Sequence, residues 1–466
     1  MTEKNTLKSY FMTTIKSGKA FIIVFIIVLF SNGAFAQKKS PAVKAAVTGF
    51  RAAVVKTDIT PQTPQWLRGY NPRQSTGILD KLYLKVVALD DGKTQFFLIS
   101  TDIVGMPSPE YDRLSSILKR KHGIDPKNVW WSATHTHSAP EIAAHFRGIP
   151  YPSMVNRSKL AAQHEVDTVY TAMLEQKIIE GIMEARNNLE PASLGVGWGF
   201  SQANINRRAI DVDGKASLGL NPDGPADRRI GLLRIDKKDG TPLVLITNYP
   251  MHGTVMSGEN TLISGDAPGI VTEYVEQQIG APVLFINGAA GNLAPIYSVY
   301  PNHRSGHLEQ FRVLLGDRIV DANKKIISTT DNVKLSVGSL TVETLRRPDL
   351  DWSPDLGNYT RTTNNGINMV LLPIRFLKIN DDIAIWSAPV ELFCEISNNI
   401  RARSPFPFTF YFGYTNGSLG YLVAADEYKH QGYEPGVSPF TPDAEKDLTE
   451  AVLGYLQGEL QRPAHE

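Results

Sequence analysis

Asn128-Val129-Trp130-Trp131-Ser132-Ala133-Thr134-His135-Thr136-His137-Ser138-Ala139-Pro140 is the stretch whose reading decides the fold. Its apolar lead-in predicts a buried strand, and Pro140 with its small neighbours predicts the loop after it. Two imidazoles therefore stand where a core strand meets a loop. On extended backbone, positions i and i+2 share a face. His135 and His137 are thus expected to point the same way, at the sheet end where α/β proteins take up substrates. A lone histidine there would most simply hydrogen-bond across a core edge. A pair is a donor set: two nitrogen ligands, or one ligand beside an acid/base. Metal-supported hydrolysis is the first chemistry it suggests.

Working outward, residues 52–60 and 82–87 read as strands, and 95–104 as a stronger one after the Asp91-Gly92 turn. Pro107 opens a helix over 110–121 that stops near Gly123. A longer helix is expected over 167–188, burying Val169, Met173, Ile178, Ile182 and Met183. Strands alternating with helices argue an α/β fold. Then come a strand 194–200, a loop 202–208, and a hairpin of 231–235 with 243–248 about Asp239-Gly240. A helix 266–278, a buried strand 282–287 and one amphipathic helix 306–327 follow. The remainder is richer in strands (334–343, 369–378, 383–387 and 408–412), with a helix over 443–456. No repeat or linker interrupts residues 50–466. The expectation is a single large mixed α/β domain, its central sheet flanked by helices.

The chain has 466 residues, 42% of them hydrophobic and 20% charged, the balance of a well-packed globular protein. Its 48 Lys+Arg oppose 47 Asp+Glu, so no global basic field exists to attract nucleic acid. Lys4, Lys8, Lys16 and Lys19 precede an apolar run over 21–30, and Ala34-Phe35-Ala36 supplies a small-x-small cleavage pattern. Residues 1–36 therefore read as a signal peptide for export to the periplasm or beyond, and 37–49 as a flexible tether. The apolar run is too short for a membrane span, so none is expected once it is removed. Cys394, the single cysteine, allows no intramolecular disulfide and reads as a small buried hydrophobe.

Further candidates lie downstream. His252 follows the strand 243–248 as His135 follows its own. Asp266 reads as the N-cap of the next helix. Glu391 stands past the apolar run 383–390, either as a first-turn glutamate or as a buried carboxylate that needs a cation. Two histidines and a carboxylate form a recurrent zinc set that leaves a position for water. The tyrosines after residue 413 (Tyr414, Tyr421, Tyr428 and Tyr433) pack amphipathically. Chemistry alone does not choose among them for a fourth ligand or an oxyanion donor.

Taken together, Thr134-His135-Thr136-His137-Ser138, Asn204-Ile205-Asn206-Arg207, Asn248-Tyr249-Pro250-Met251-His252, Ser264-Gly265-Asp266, Ala388-Pro389-Val390-Glu391, and Gly420-Tyr421 through Gln431-Gly432-Tyr433-Glu434 resemble the catalytic domain of the neutral/alkaline ceramidase family. The resemblance implies one catalytic Zn²⁺ held by His135, His252, Glu391 and Tyr421. It makes His137 the general acid/base, and has Arg207 and Tyr433 position the carbonyl and stabilise its oxyanion; Arg208, next door, competes for that assignment. The family's Gly-Asp-Val-Ser-Pro-Asn segment corresponds here to the stretch 287–295, with Gly291 nearest the serine, so Gly291 and Asn292 mark the substrate/oxyanion region. That change leaves zinc–water chemistry in place and weighs against ceramide itself. The C-terminal β-sandwich of full-length ceramidases is not expected. The function implied is an exported zinc hydrolase of a small-molecule or lipid N-acyl amide. The runner-up is the same site acting on another acyl amide, an ester or an acetylated sugar. A catalytically silent lipid- or glycan-binding relative is the alternative outside enzymes.

Overall fold

The computed structural model describes residues 49–70, 73–142, 167–299 and 307–461. The expected signal peptide, and the tether up to residue 48, lie outside the described residues.

The principal strands are β1 (Arg51–Asp58), β2 (Tyr83–Asp90), β3 (Gln95–Thr101), β4 (Val129–Ala133), β5 (Glu190–Phe200), β6 (Asn204–Ile210), β7 (Ala216–Asn221), β8 (Arg229–Lys237), β9 (Pro242–Tyr249), β10 (Val283–Asn287), β11 (Leu293–Pro295), β12 (Leu335–Leu345), β13 (Asn368–Ile379), β14 (Ile383–Ser387) and β15 (Phe408–Phe412). The main helices are α1 (Ser108–His122), α2 (Thr168–Asn187), α3 (Asp266–Ile279), α4 (Cys394–Arg403) and α5 (Asp443–Gln461). An eight-stranded sheet runs β10-β9-β8-β5-β1-β2-β3-β4, and a second runs β12-β13-β14-β15. β7, β6 and β11 form a small third sheet.

Strand alternation decides the layering. Val87 and Leu89 of β2 pack in one core with Leu377 and Ile379 of β13 and Ile383 and Ile385 of β14. Leu84 and Val86 turn the other way, towards Leu174 and Ile178 of α2, as Ile374 and Phe376 turn towards Leu448 and Val452 of α5. The class is α/β, as expected, but two sheets pack face to face with helices outside them.

Three local expectations change. Most of the stretch 202–208, read as loop, belongs to β6, with Arg207 and Arg208 buried. In α2 the buried line passes through Tyr170, Leu174, Ile178 and Ile182, and Val169 is 76% exposed. Asp167, accepting from Val169 N and Tyr170 N, fixes where that helix starts and hence which face turns inward. The helix expected over 306–327 is a 3₁₀ turn (Leu308–Gln310), a wide π-type turn (Arg312–Asp317) and a short α-helix (Arg318–Lys324). Gly316 lies where a Cβ would meet the Tyr274 ring at 2.6 Å, so α3 approaches this segment's backbone closely.

The parallel pairs β3/β4, β9/β10 and β14/β15 matter most for function. The segments that leave β4, β9, β14 and β15 carry His135 and His137, His252, Glu391 and Tyr414 respectively.

Candidate metal centre and active site

β4 ends at Ala133, so strand alternation does not align the two histidines. His135 instead adopts a left-handed backbone, φ 66°. The loop is fixed by His135 N donating to Ile103 O, 2.9 Å, and by pairing with the segment after β9. There Gly253 N donates to His135 O and His137 N donates to Gly253 O, 3.1 and 2.8 Å. A Cβ on Gly253 would stand 2.6 Å from the Thr136 Cα, so only glycine permits this approach. Asn287, at the end of β10, clasps both loops: its Nδ2 donates to Thr134 O and Met251 O, and its Oδ1 accepts from Met251 N.

His135 Nδ1 lies 2.5 Å from Val104 O, and His252 Nδ1 lies 3.0 Å from Leu293 O. Those contacts hold each Nδ1 as the protonated nitrogen and leave the Nε2 lone pair facing inward. Glu391, parallel-paired with Tyr421, brings Oε2 to 3.4 Å from His135 Nε2 and 3.3 Å from His252 Nε2. His137 Nε2 stands 3.3 Å from His135 Nε2. His252 Nε2 and Glu391 Oε2 are buried and lack hydrogen-bond partners.

Two donors bound at about 2.0–2.1 Å to one tetrahedral ion stand about 3.3–3.4 Å apart. The spacing here therefore matches an ion's first coordination sphere, and orphaned buried atoms of this kind call for an explanation. Protonation agrees. Burial, reinforced by Arg207 and His135, pushes His252 down to about 3. Burial, with His135 and His252 beside it, holds His137 well below its ordinary value. Burial works against a charge on Glu391, yet His135 and His252 keep its carboxyl well below the usual range. Neutral imidazoles and an ionised carboxylate are the ligating forms. His135, His137 and His252 lie close enough that together they could hold a metal ion, so the geometry makes His137, expected as an acid/base, a candidate ligand as well.

Of the adjacent arginines, Arg208 is spent on Glu427, Glu434 and the Gln431 carbonyl. Arg207 donates through Nε to the other oxygen of Glu434, 2.9 Å, and through an Nη to the Tyr421 hydroxyl, 3.1 Å. Tyr433 packs edge-on against Tyr421, ring centres 5.8 Å apart. Gly291 faces the main chain of Glu391, where a Cβ would stand 2.6 Å from the carbonyl oxygen, so no serine fits there. Registering the family segment on its glycine and proline instead puts Ala294 at the serine's place. Asn292 turns away from the histidines, donating to Glu395 and accepting from Cys394 N.

The structure separates Tyr414 from the other candidate tyrosines, gives Glu434 a role, and adds contributors that sequence reading passed over. Tyr414 lies on His135, ring centres 4.1 Å apart, and its buried hydroxyl lacks a partner. Glu434 orients both arginines. Gly69, φ 111°, presses on His137, where a Cβ would meet Nδ1 at 2.3 Å. A narrow cavity of about 70 Å³ opens on the cluster, and Arg68 and Glu141 share its wall with His135, His137, Glu391, Tyr414, Tyr421 and Tyr433. Gly69, Arg68 and Glu141 have no periodicity or motif to mark them.

The family described as neutral/alkaline non-lysosomal ceramidase, N-terminal, matches residues 50–289. Neutral ceramidase of Pseudomonas aeruginosa is 26% identical over 264 residues, 54% of this chain and 38% of that protein. Neutral ceramidase B of Dictyostelium discoideum is 28% identical over 182 residues, 38% of this chain and 23% of the relative. The chain thus matches well under half the length of these relatives. A solved ceramidase complexed with C2 superposes with a TM-score of 0.71 at 18% identity, covering 90% of this chain and 76% of that one. The crystal structure of the Pseudomonas aeruginosa enzyme gives 0.68 at 19%, covering 89% and 76%.

Proposed function

Because the chain belongs to the neutral/alkaline non-lysosomal ceramidase family, we propose that it is an exported, zinc-dependent hydrolase that cleaves an N-acyl amide. The observation that carries this reading is the convergence of His135 Nε2, His252 Nε2 and Glu391 Oε2 at 3.3–3.4 Å, buried. His135, His252 and Glu391 would hold the ion, with the Tyr421 phenol as the fourth ligand. When bound, zinc supplies Lewis acidity to the amide carbonyl and lowers the pKa of water.

The protein's own groups do the rest. In the net reaction water's oxygen joins the acyl carbon, the C–N bond breaks, and the departing nitrogen takes a proton. His137, kept neutral by burial and its imidazole neighbours, accepts water's proton and returns it to the leaving amine. Burial opposes the charge on Arg207, but Tyr421 and Glu434 hold it firmly protonated. Arg207 and Tyr433 donate to the oxygen that becomes negative as the carbonyl is attacked. Residues 1–36 support export, and among the described residues no helix is long and apolar enough to cross a membrane.

The test is a panel of N-acylsphingosines, short N-acyl amides, esters and acetylated sugars, assayed with zinc and after chelation. Zinc-dependent amide turnover, lowered about 10²–10⁴-fold by His137→Ala, is expected. Exclusive turnover of sugars or esters would overturn the amide assignment.

A further inference from the structure

We infer that Tyr414 is a further catalytic residue: its phenol donates to the amide oxygen as that oxygen becomes negative, beside Arg207 and Tyr433. This rests on the amide-hydrolase reading and adds a member to its site.

The segment after β15 leaves this side chain little freedom. Ala133 N donates to Tyr414 O at 3.1 Å, Gly413 N to Asn287 O at 2.8 Å, and Asn416 N to Trp131 O at 2.8 Å. The Ser132 and Thr415 hydroxyls meet at 2.7 Å, and Trp131 N donates to Asn416 Oδ1 at 2.7 Å. Within this pairing Tyr414 takes a left-handed backbone, φ 53°, which a bulky residue adopts only when its surroundings impose it. The ring is thereby laid on His135 at 4.1 Å and set edge-on to His252 at 6.2 Å, in the wall of the cavity it shares with Glu391.

Packing on His135 explains the ring and leaves the hydroxyl unexplained. A buried O–H without an acceptor costs stability, and a phenylalanine would stack equally well. Three other phenols in this region are engaged. Tyr411 donates to the Ala388 and Val390 carbonyls, Tyr428 donates to Phe440 O, and the Tyr421 hydroxyl accepts from Arg207. The Tyr414 hydroxyl has no partner among the described residues, a state it shares with His252 Nε2 and Glu391 Oε2 of the cluster it packs on. Attack on the amide carbonyl supplies the missing partner. It creates an anionic oxygen, which accepts from a preorganised O–H far more strongly than the neutral carbonyl does. Arg207 has already given Nε to Glu434 and an Nη to Tyr421, so only part of its fork remains for that oxygen. Tyr414 keeps its own proton throughout.

The test is Tyr414→Phe, which keeps the ring and removes only the hydroxyl, assayed zinc-loaded on the amide that the wild type turns over fastest. Its kcat should fall about 10²–10³-fold while KM holds, the mark of an interaction made only in the transition state. A phosphinate isostere of that amide, whose tetrahedral oxygens imitate the oxyanion, should bind more weakly by the same factor in calorimetry. Zinc per chain should be unchanged. The chelated variant should melt no lower than the chelated wild type, because an unpaired hydroxyl takes no hydrogen bond with it. Full activity in Tyr414→Phe, unchanged phosphinate binding, loss of zinc or a lowered Tm after chelation would each overturn this role and leave the hydrolase intact. A wild type inactive on every amide would overturn the hydrolase reading, and this role with it.

Discussion

Arg207 and Arg208 share Glu434, one on each carboxylate oxygen, and their other partners separate them. Arg208 is tied to Glu427 and main-chain carbonyls, so Arg208→Ala should cost stability of about 3–5 kcal/mol in urea unfolding by stranding buried carboxylates. Arg207 reaches Tyr421, and Arg207→Ala should instead lower kcat about 10²–10³-fold. Equal losses of stability and of kcat in both variants would contradict the division. Gly69→Ala joins a strained φ to a clash with His137, so it should cut activity well beyond its loss of stability, typically about 1–3 kcal/mol. His135, His137, His252 and Glu391 were legible because they sit in short motifs after apolar strands. The choice between arginines was not. Glu427 and Glu434 come from 219 and 226 residues further along the chain, and no local pattern reveals them.

The elements were read well where an apolar period existed. β14 and β15 fall where the pattern put them, and α3 starts at Asp266 as the pattern put it, but Gly265 stands at its N-cap and Asp266, read as that cap, is the first helical residue. β6 was missed because its inward side chains are Asn204, Asn206, Arg207 and Arg208, buried by hydrogen bonds and ion pairs, so no hydrophobic alternation announces it. Asp266 does more than begin a helix. It accepts from Val255 N, Met256 N and Ala267 N, and so ties α3 to the segment after His252. Asp266→Ala would leave three buried donors unpaired, each worth about 1–3 kcal/mol. A Tm fall of many degrees is expected, with weakened metal retention in whatever folds. A wild-type Tm would contradict this tie.

Across the whole molecule, four strand ends from two sheets meet at one point, a convergence that a sequence without spatial contacts does not disclose. Gathering neutral imidazoles there has a cost in acid. The unfolded chain protonates a histidine near its ordinary 6.5, whereas folded His252 waits until about 3. Between those values the unfolded state holds more protons, so stability falls as pH falls, by at most about 1.4 kcal/mol per pH unit for each such group. His137 shifts in the same direction, and Glu391, held low, adds a loss as pH drops below its usual range. The chelated protein should therefore show these groups' contribution to Tm constant above pH 6.5 and declining steadily towards pH 4. Zinc should raise Tm most at neutral pH, because protons compete for the same nitrogens. A Tm insensitive to acid down to pH 4 would contradict the neutral cluster.

Metal content tests the central claim most directly: elemental mass spectrometry of the purified protein beside His135→Ala and Glu391→Ala. About one zinc per chain, lost in both variants while their circular dichroism stays native, is the predicted result. Wild-type protein that neither carries zinc nor takes it up tightly on titration, or variants that retain it in full, would contradict the account.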